Sequence, residues 1–226
     1  MKTNKYLIAL LMIAGNTHAT FSLSQSGVVV DAKKGETSVV VKNIGTQPIL
    51  LFSSEVESET KAISGRSLFM LSPPVAKLNP NESQVIRIFL KDKTIDKEMM
   101  ARIRFQELTD EGNNSTKTII NAAYNIAAIA RPATLTENTK PWELLKLNNK
   151  NGHLEILNDS LYVVRMAKTI KINNGGKEYK LDINNGYILP GKSLELKNFN
   201  YTTTNAVEIN PASTTGSILS TYMIKK

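Results

Sequence analysis

Glu55, Glu57 and Glu59 stand at alternate positions and are the first side chains whose type and spacing could do chemistry. On a strand they would share one face, where two carboxylates in unlike surroundings can act as general acid and general base. The same spacing is also the hydrophilic outer face of an ordinary strand. Histidine occurs at His18, near the N-terminus, and at His153, in an Asn-Gly-His turn. A Ser-His-acid triad would have to use His153, and no G-x-S-x-G elbow accompanies it. Cysteine is absent, which excludes the usual His/Cys zinc sites and any disulfide staple. No glycine-rich phosphate loop is present. An enzyme is therefore not expected, and neither is a cofactor or a metal.

Lys117 to Pro132 offers chemistry of another kind, that of recognition. Thr118, Ile120, Ala122, Tyr124 and Ile126 take alternate positions, and Ile119, Ala123, Ala127 and Ile129 fill much of the other set. A half-buried strand alternates apolar with polar; this one is apolar on both faces. One face can pack on a core. The other calls for a second apolar partner, either within this chain or on another molecule. An extended segment added to an exposed strand edge would meet that need through main-chain hydrogen bonds and apolar burial together.

The elements that must hold such a strand are themselves β. Phe21–Val30, Ser38–Lys42, Ile49–Val56, Leu68–Leu71, Val85–Leu90 and Ala101–Phe105 read as short strands before the long one, separated by turn signals. Two prolines after Ser72 forbid ladder donation there. One short helical turn is expected over Asp96 to Arg102. Ala133 to Pro141 is polar and proline-bounded, a linker. A second strand set follows at Leu144–Leu147, Leu154–Leu157, Tyr162–Ile172, Tyr179–Ile183, Ser193–Leu196, Ala206–Ile209 and Ile218–Ile224. The fold class is all-β, with two immunoglobulin-like β-sandwich domains.

The first residues belong to neither. Lys2 and Lys5, the apolar run Tyr6–Ala14 and the small residues Thr17 and Ala19 have the order of a secretory signal peptide. The expected division is a signal peptide at 1–19, a first sandwich at 20–132 and a second at 133–226. The apolar run is too short to span a bilayer, which takes roughly 20 residues, so membrane insertion is not expected. Without Lys2 and Lys5 the net charge falls from +8 to +6. The lysines are scattered, with no arginine-rich or aromatic-interleaved patch, so a nucleic-acid partner is not expected. An exported protein with no cysteine points to a bacterial periplasm.

The order of segments resembles a known family. Ser72-Pro-Pro-Val-Ala-Lys-Leu-Asn-Pro80, followed by Gln84-Val-Ile-Arg-Ile-Phe89, is similar to a characteristic stretch of the periplasmic pilus-assembly chaperones of the chaperone–usher pathway. Arg102-Ile-Arg-Phe-Gln-Glu107 resembles their next strand, and Tyr124 to Pro132 the close of their donor strand. Trp142–Leu147, Leu154–Asn158 and Tyr187–Gly191 resemble parts of their second domain. The resemblance implies a boomerang of two sandwiches that holds incomplete pilus or fimbrial subunits by donor-strand complementation. It also implies delivery of those subunits to an outer-membrane usher. Thr118, Ile120, Ala122, Tyr124 and Ile126 match the donated positions; a slip of one would swap in Ile119 and Ala123. An open edge also leaves self-association of the free form open.

This sequence departs from the family at a notable place. Typical members carry an arginine on the first strand and a lysine late in the donor strand, which together anchor the subunit's terminal carboxylate. The matching positions here are Gly27 and Ala127, a departure that resembles the alternate or archaic branches. A carboxylate buried in a cleft needs a cationic partner. Arg102 and Arg104 are candidate anchors, since their strand runs beside the donor strand; an ordinary surface-facing pair is the other reading. Arg131 matches the family's interdomain arginine and Glu98 an acidic partner, while Pro211 stands where a second acid is usual. The alternatives are a structural pilin or adhesin, or another secreted β-sandwich binding protein. A pilin should show one incomplete sandwich behind a long alternating N-terminal extension.

Overall fold

The computed structural model describes residues 20–56, 67–108 and 123–226. Among them the chain is β throughout, apart from one turn of 3-10 helix at Pro141–Leu144. The strands before it are β1 (Phe21–Leu23), β2 (Gly27–Asp31), β3 (Glu36–Asn43), β4 (Ile49–Val56), β5 (Phe69–Ser72), β6 (Val75–Leu78), β7 (Ser83–Leu90), β8 (Met99–Leu108) and β9 (Ala123–Arg131). They form a four-stranded sheet, β1-β3-β7-β5, facing a five-stranded sheet, β2-β9-β8-β4-β6. Alternation with a period of two decides which side chains meet between them. Val28, Val30, Val39, Val41, Leu51, Ile86, Ile88, Ile103, Phe105 and Ile126 all point inward and are buried in one core.

Three expectations need correction here, and one strand that was not expected, β6, is added. Phe21–Val30 is two strands: polar Ser24, Gln25 and Ser26 carry the chain from one sheet to the other, and Ser24 N–H donates to the Val40 carbonyl at 2.9 Å. The two prolines end β5, but the chain resumes at once as β6 on the opposite sheet, beside β4. Asp96 to Arg102 holds no helical turn. Met99 already begins β8, whose pairing on both edges outweighs weak local helix propensity. Glu55 is not simply a solvated side chain. Its carboxylate accepts the backbone N–H groups of Leu68, at 3.1 Å, and Phe69, at 2.6 Å, where the chain enters β5. Glu57 and Glu59 lie outside the described residues.

After the 3-10 turn come β10 (Lys146–Lys150), β11 (His153–Asn158), β12 (Val164–Arg165), β13 (Thr169–Asn174), β14 (Lys177–Asp182), β15 (Tyr187–Ile188), β16 (Lys192–Asn200), β17 (Thr204–Ile209) and β18 (Tyr222–Lys225). They pair as β10-β11-β16, β14-β13-β17-β18 and a short β12-β15 ribbon. Trp142, Leu154, Ile156, Ile170, Ile172, Val207 and Ile209 fill a second core. Tyr162–Ile172, expected as one strand, breaks into β12 and β13 because Met166, Ala167 and Lys168 bond to chain segments outside either ladder. The two sets share a device. Asn43 and Asn158 are both fully buried at the ends of β3 and β11. The Asn43 amide donates to the Leu78 and Gln47 carbonyls, the Asn158 amide to those of Ile188 and Tyr162.

A third, smaller apolar cluster joins the two cores. Met100, Ala127 and Ile129, from the outer face of the five-stranded sheet, pack with Val163 and Leu189; Val29 and Tyr187 lie against them. β9 is thus apolar on both faces for reasons within this chain along its last turns: Ile126, Ala128 and Ala130 serve the first core, Ala127 and Ile129 the joint.

Candidate functional site

The described part of β9 is half-covered. β8 pairs with it from Ala123 to Ala130 on one edge. On the other edge β2 runs parallel to it and pairs only from Ala127 to Arg131. β1, which precedes β2 in the chain, lies in the opposite sheet. Beside Ala123–Ile126 no strand of the described residues fills the β2 edge, so a slot in the sheet opens there and closes at Gly27. Ile126 is buried in the first core and Tyr124 sets its ring edge-on against Phe21, with centroids 5.1 Å apart. Both lie on the core side of the strand. Thr118, Ile120 and Ala122 lie outside the described residues, as does the alternative-register residue Ile119. Ala123 is exposed on the other face.

The closed end of the slot is cationic. Gly27 and Ala127 are register partners, and Arg102 is the partner of Ala127 on β8. One row across the outer face of the sheet therefore reads Gly27, Ala127, Arg102. The Arg102 guanidinium lies 6.0 Å from the centre of the Tyr187 ring, which belongs to the second strand set. Arg104 is a row farther from the joint, and its Nε donates to Asn125 Oδ1 at 3.1 Å. The two arginines are therefore in unlike settings. Arg102 stands at the joint and Arg104 on the open sheet.

A further cation that the sequence reading overlooked stands in the same place. Arg165 on β12 donates from Nη1 to the carbonyls of Thr214, at 2.7 Å, and Ser213, at 3.2 Å. A Cβ built on Gly27 would lie 2.6 Å from the Thr214 carbonyl oxygen and 3.1 Å from Arg165 Nη1. A side chain at position 27 has no room, which is the local reason for glycine there. Burial, with the like charge of Arg102 beside it, pushes the Arg165 guanidinium below its ordinary range. The signal in the sequence was a lone arginine inside an otherwise apolar run, between Val163, Val164 and Met166, all three buried.

Arg131 and Glu98 meet at the other side of the joint. Arg131 Nε donates to Glu98 Oε1 at 2.8 Å, with side-chain exposures of 7% and 3%. Glu98 Oε2 accepts the Val163 backbone N–H at 2.9 Å, tying β8's approach to the second strand set. Burial pushes the Glu98 carboxyl up, against the opposing pulls of Arg131 and the Val163 amide. The Glu98 carboxylate in turn holds the Arg131 guanidinium charged, above its ordinary value, despite burial. Pro211 supplies no second acid; Glu137, in the polar connection, lies 3.5 Å from Arg131 Nη1. Among the described residues no group of three His, Asp or Glu side chains converges on a point that could hold a metal ion.

The sequence matches the family model for pili and flagellar-assembly chaperones, PapD N-terminal domain, over residues 20–136. The chain belongs to this family. An uncharacterized fimbrial chaperone of Escherichia coli (strain K12), YhcA, is 30% identical over 204 residues, covering 89% of this chain and 88% of that one. The chaperone protein FimB/FhaD of Bordetella pertussis is 26% identical over 181 residues, covering 74% and 73%. Solved structures share the fold of two immunoglobulin-like sandwiches. The E. coli chaperone DraB superposes with a TM-score of 0.69 at 18% identity, covering 91% of this chain and 98% of that chain. A structure of the Salmonella enterica SafA pilin in complex with the SafB chaperone gives 0.71 at 17% identity, covering 94% and 99%.

Proposed function

We propose that this chain is a periplasmic chaperone that stabilises pilus or fimbrial subunits by lending them β9 and its N-terminal continuation, then delivers them to an outer-membrane usher. The observation that carries the reading is the half-covered edge of β9. β8 holds the strand rigidly from one side, while the β2 side of Ala123–Ile126 faces no strand among the described residues. A subunit that lacks a strand exposes both a core and an unpaired edge. Strand addition, of which chaperone–pilin complementation is a standing example, satisfies both at once. Each large side chain buried in the subunit contributes roughly 1.5–3 kcal/mol.

Tyr124 and Ile126 sit on the core side of β9, and Ala122, Ile120 and Thr118 continue the same alternate set in the sequence, which supports these five as the donated residues. Arg131 and Glu98 fix the angle between the sandwiches rather than touch the subunit. The chain divides at 132/133, between the two cores, and residues 1–19 are removed on export. The complex of SafA with SafB supports a pilin as the partner class.

Co-expression with a candidate pilin subunit tests the reading. The subunit survives in the periplasm and co-purifies with the wild-type chain. Ile120→Asp with Tyr124→Asp abolishes co-purification while the chaperone stays folded by circular dichroism. Undiminished capture by that variant refutes strand lending.

A further inference from the structure

Three carboxylates are buried among the described residues: Glu98, Glu107 and Glu155. Glu98 is paired with Arg131. Glu155 lies 3.9 Å from Lys150 Nζ and also accepts the Asn148 amide and the Ser193 hydroxyl. Glu107 differs. It is 9% exposed, and no lysine, arginine or histidine among the described residues forms an ion pair with it. Its side-chain partner is the Thr20 hydroxyl, which donates to Oε2 at 2.5 Å. One hydroxyl does little to offset the loss of water around a carboxylate; a cation beside it would do far more.

Thr20 is also the residue that the order of Lys2 and Lys5, the apolar run, Thr17 and Ala19 makes the first of the exported chain. Water adds across the Ala19–Thr20 peptide bond. Ala19 leaves with the new carboxylate, and the Thr20 nitrogen takes up the protons that make it an ammonium, the prevailing form at neutral pH. Three bonds separate that nitrogen from the Thr20 hydroxyl oxygen, which keeps it within about 6 Å of the Glu107 carboxylate. The backbone holds Thr20 in place: its carbonyl accepts the N–H groups of Ile44, at 3.0 Å, and Gly45, at 3.1 Å. Thr20 leads into β1 and Glu107 belongs to β8, so their contact spans the two sheets of the first sandwich.

We infer that the ammonium freed at Thr20 pairs with the Glu107 carboxylate, so that removal of residues 1–19 supplies the cation the first sandwich lacks. In the uncut chain the same nitrogen is an uncharged amide, and Glu107 keeps the hydroxyl alone. The cut chain is therefore the more stable one. Its sheets are clamped beside the fully buried Phe21, which meets Tyr124 of β9. This rests on the removal of residues 1–19 proposed above and is independent of strand lending.

The experiment compares the mature chain, purified from the periplasm, with a chain carrying Gly-Ser ahead of Thr20, each also made with Glu107→Gln. Intact mass establishes the first residue, and urea titration reads the unfolding constant. The extension carries the ammonium two residues away from Glu107. It should raise the unfolding constant about 10- to 100-fold in the unsubstituted chain, the scale of a hydrogen bond between charged groups. In Glu107→Gln, whose side-chain oxygen still accepts the Thr20 hydroxyl, the rise should be no more than about 2-fold.

An equal rise in both backgrounds overturns the inference, because the added residues would then only crowd the start of β1. No rise in the unsubstituted chain overturns it as well. Should Glu107→Gln not fold, the pH dependence of the rise in the unsubstituted chain decides. Pairing raises the ammonium's pKa, so its stabilisation is full below the unfolded value and is lost as pH climbs through the folded one. The rise should be present at about pH 7 and gone by about pH 10 to 11; the other titrating groups are common to both chains. A rise that does not change with pH overturns the pairing. A periplasmic chain that begins elsewhere than at Thr20 overturns the boundary after residue 19 and this inference with it.

Discussion

Arg131 and Glu98 are the most deeply buried ion pair among the described residues, and their energetics are asymmetric. Removing one partner strands the other charge away from water. Arg131→Ala should lower the unfolding free energy by about 3–5 kcal/mol, measured by denaturant titration. Replacing both, with Glu98→Leu and Arg131→Met, should recover most of that loss but not all. The Val163 N–H, which now donates to Glu98, would be left without an acceptor at a cost of about 1–3 kcal/mol. Full recovery would mean the Val163 bond contributes nothing. Gly27 is sensitive for a different reason. Gly27→Ala places a methyl group against a backbone carbonyl that cannot swing aside. It should cost about 1–3 kcal/mol, and Gly27→Arg, which restores the residue typical of the family, should cost more and rescue nothing.

β9 is the element in which structure and proposed activity meet. Its two faces and two edges are all assigned. The core face packs inward, the other face reaches the joint, one edge is paired with β8, and the other is paired with β2 over Ala127–Arg131 alone. Hydrogen exchange should divide the strand accordingly. In the free protein, amides of Ala123–Ile126 that point to the β2 side should exchange faster than those of Ala127–Arg131. Captured subunit should protect them; unchanged exchange on capture would exclude this edge as the docking line. The doubly apolar pattern of this strand was legible in the sequence, because period-two alternation depends only on local order. The share of that pattern consumed by the chain's own joint was not legible. Ala127 and Ile129 meet Val163 and Leu189, which stand 34 or more positions away, and no local rule links them.

At the scale of the molecule, two large cores are held together by a small apolar cluster and by hydrogen bonds across the joint, from the Val163 N–H to Glu98, from the Glu98 N–H to the Leu161 carbonyl and from the Ser26 hydroxyl to the Thr215 carbonyl. The joint is the weakest layer. Met100→Ala with Leu189→Ala removes much of its apolar contact at about 2–5 kcal/mol for each fully buried side chain. Calorimetry should then resolve two unfolding transitions, one per sandwich, while subunit capture falls because the cleft no longer keeps its shape. A single transition in this variant would show that the two cores are coupled by more than this cluster.

The sequence by itself determined the class of fold, the two strand sets and the family, since these follow from alternation, turn residues and the Ser72–Phe89 stretch. It also determined that Gly27 and Ala127 carry no charge. Only the tertiary structure decided what stands beside those two positions. Arg165 reaches the slot from the second sandwich, 138 positions downstream of Gly27, because a short ribbon and the loop at Ser213–Gly216 fold back against the first. Charge at a cleft is a property of position in space. Residues distant in the chain supply it whenever the packing of two domains brings them to the same point.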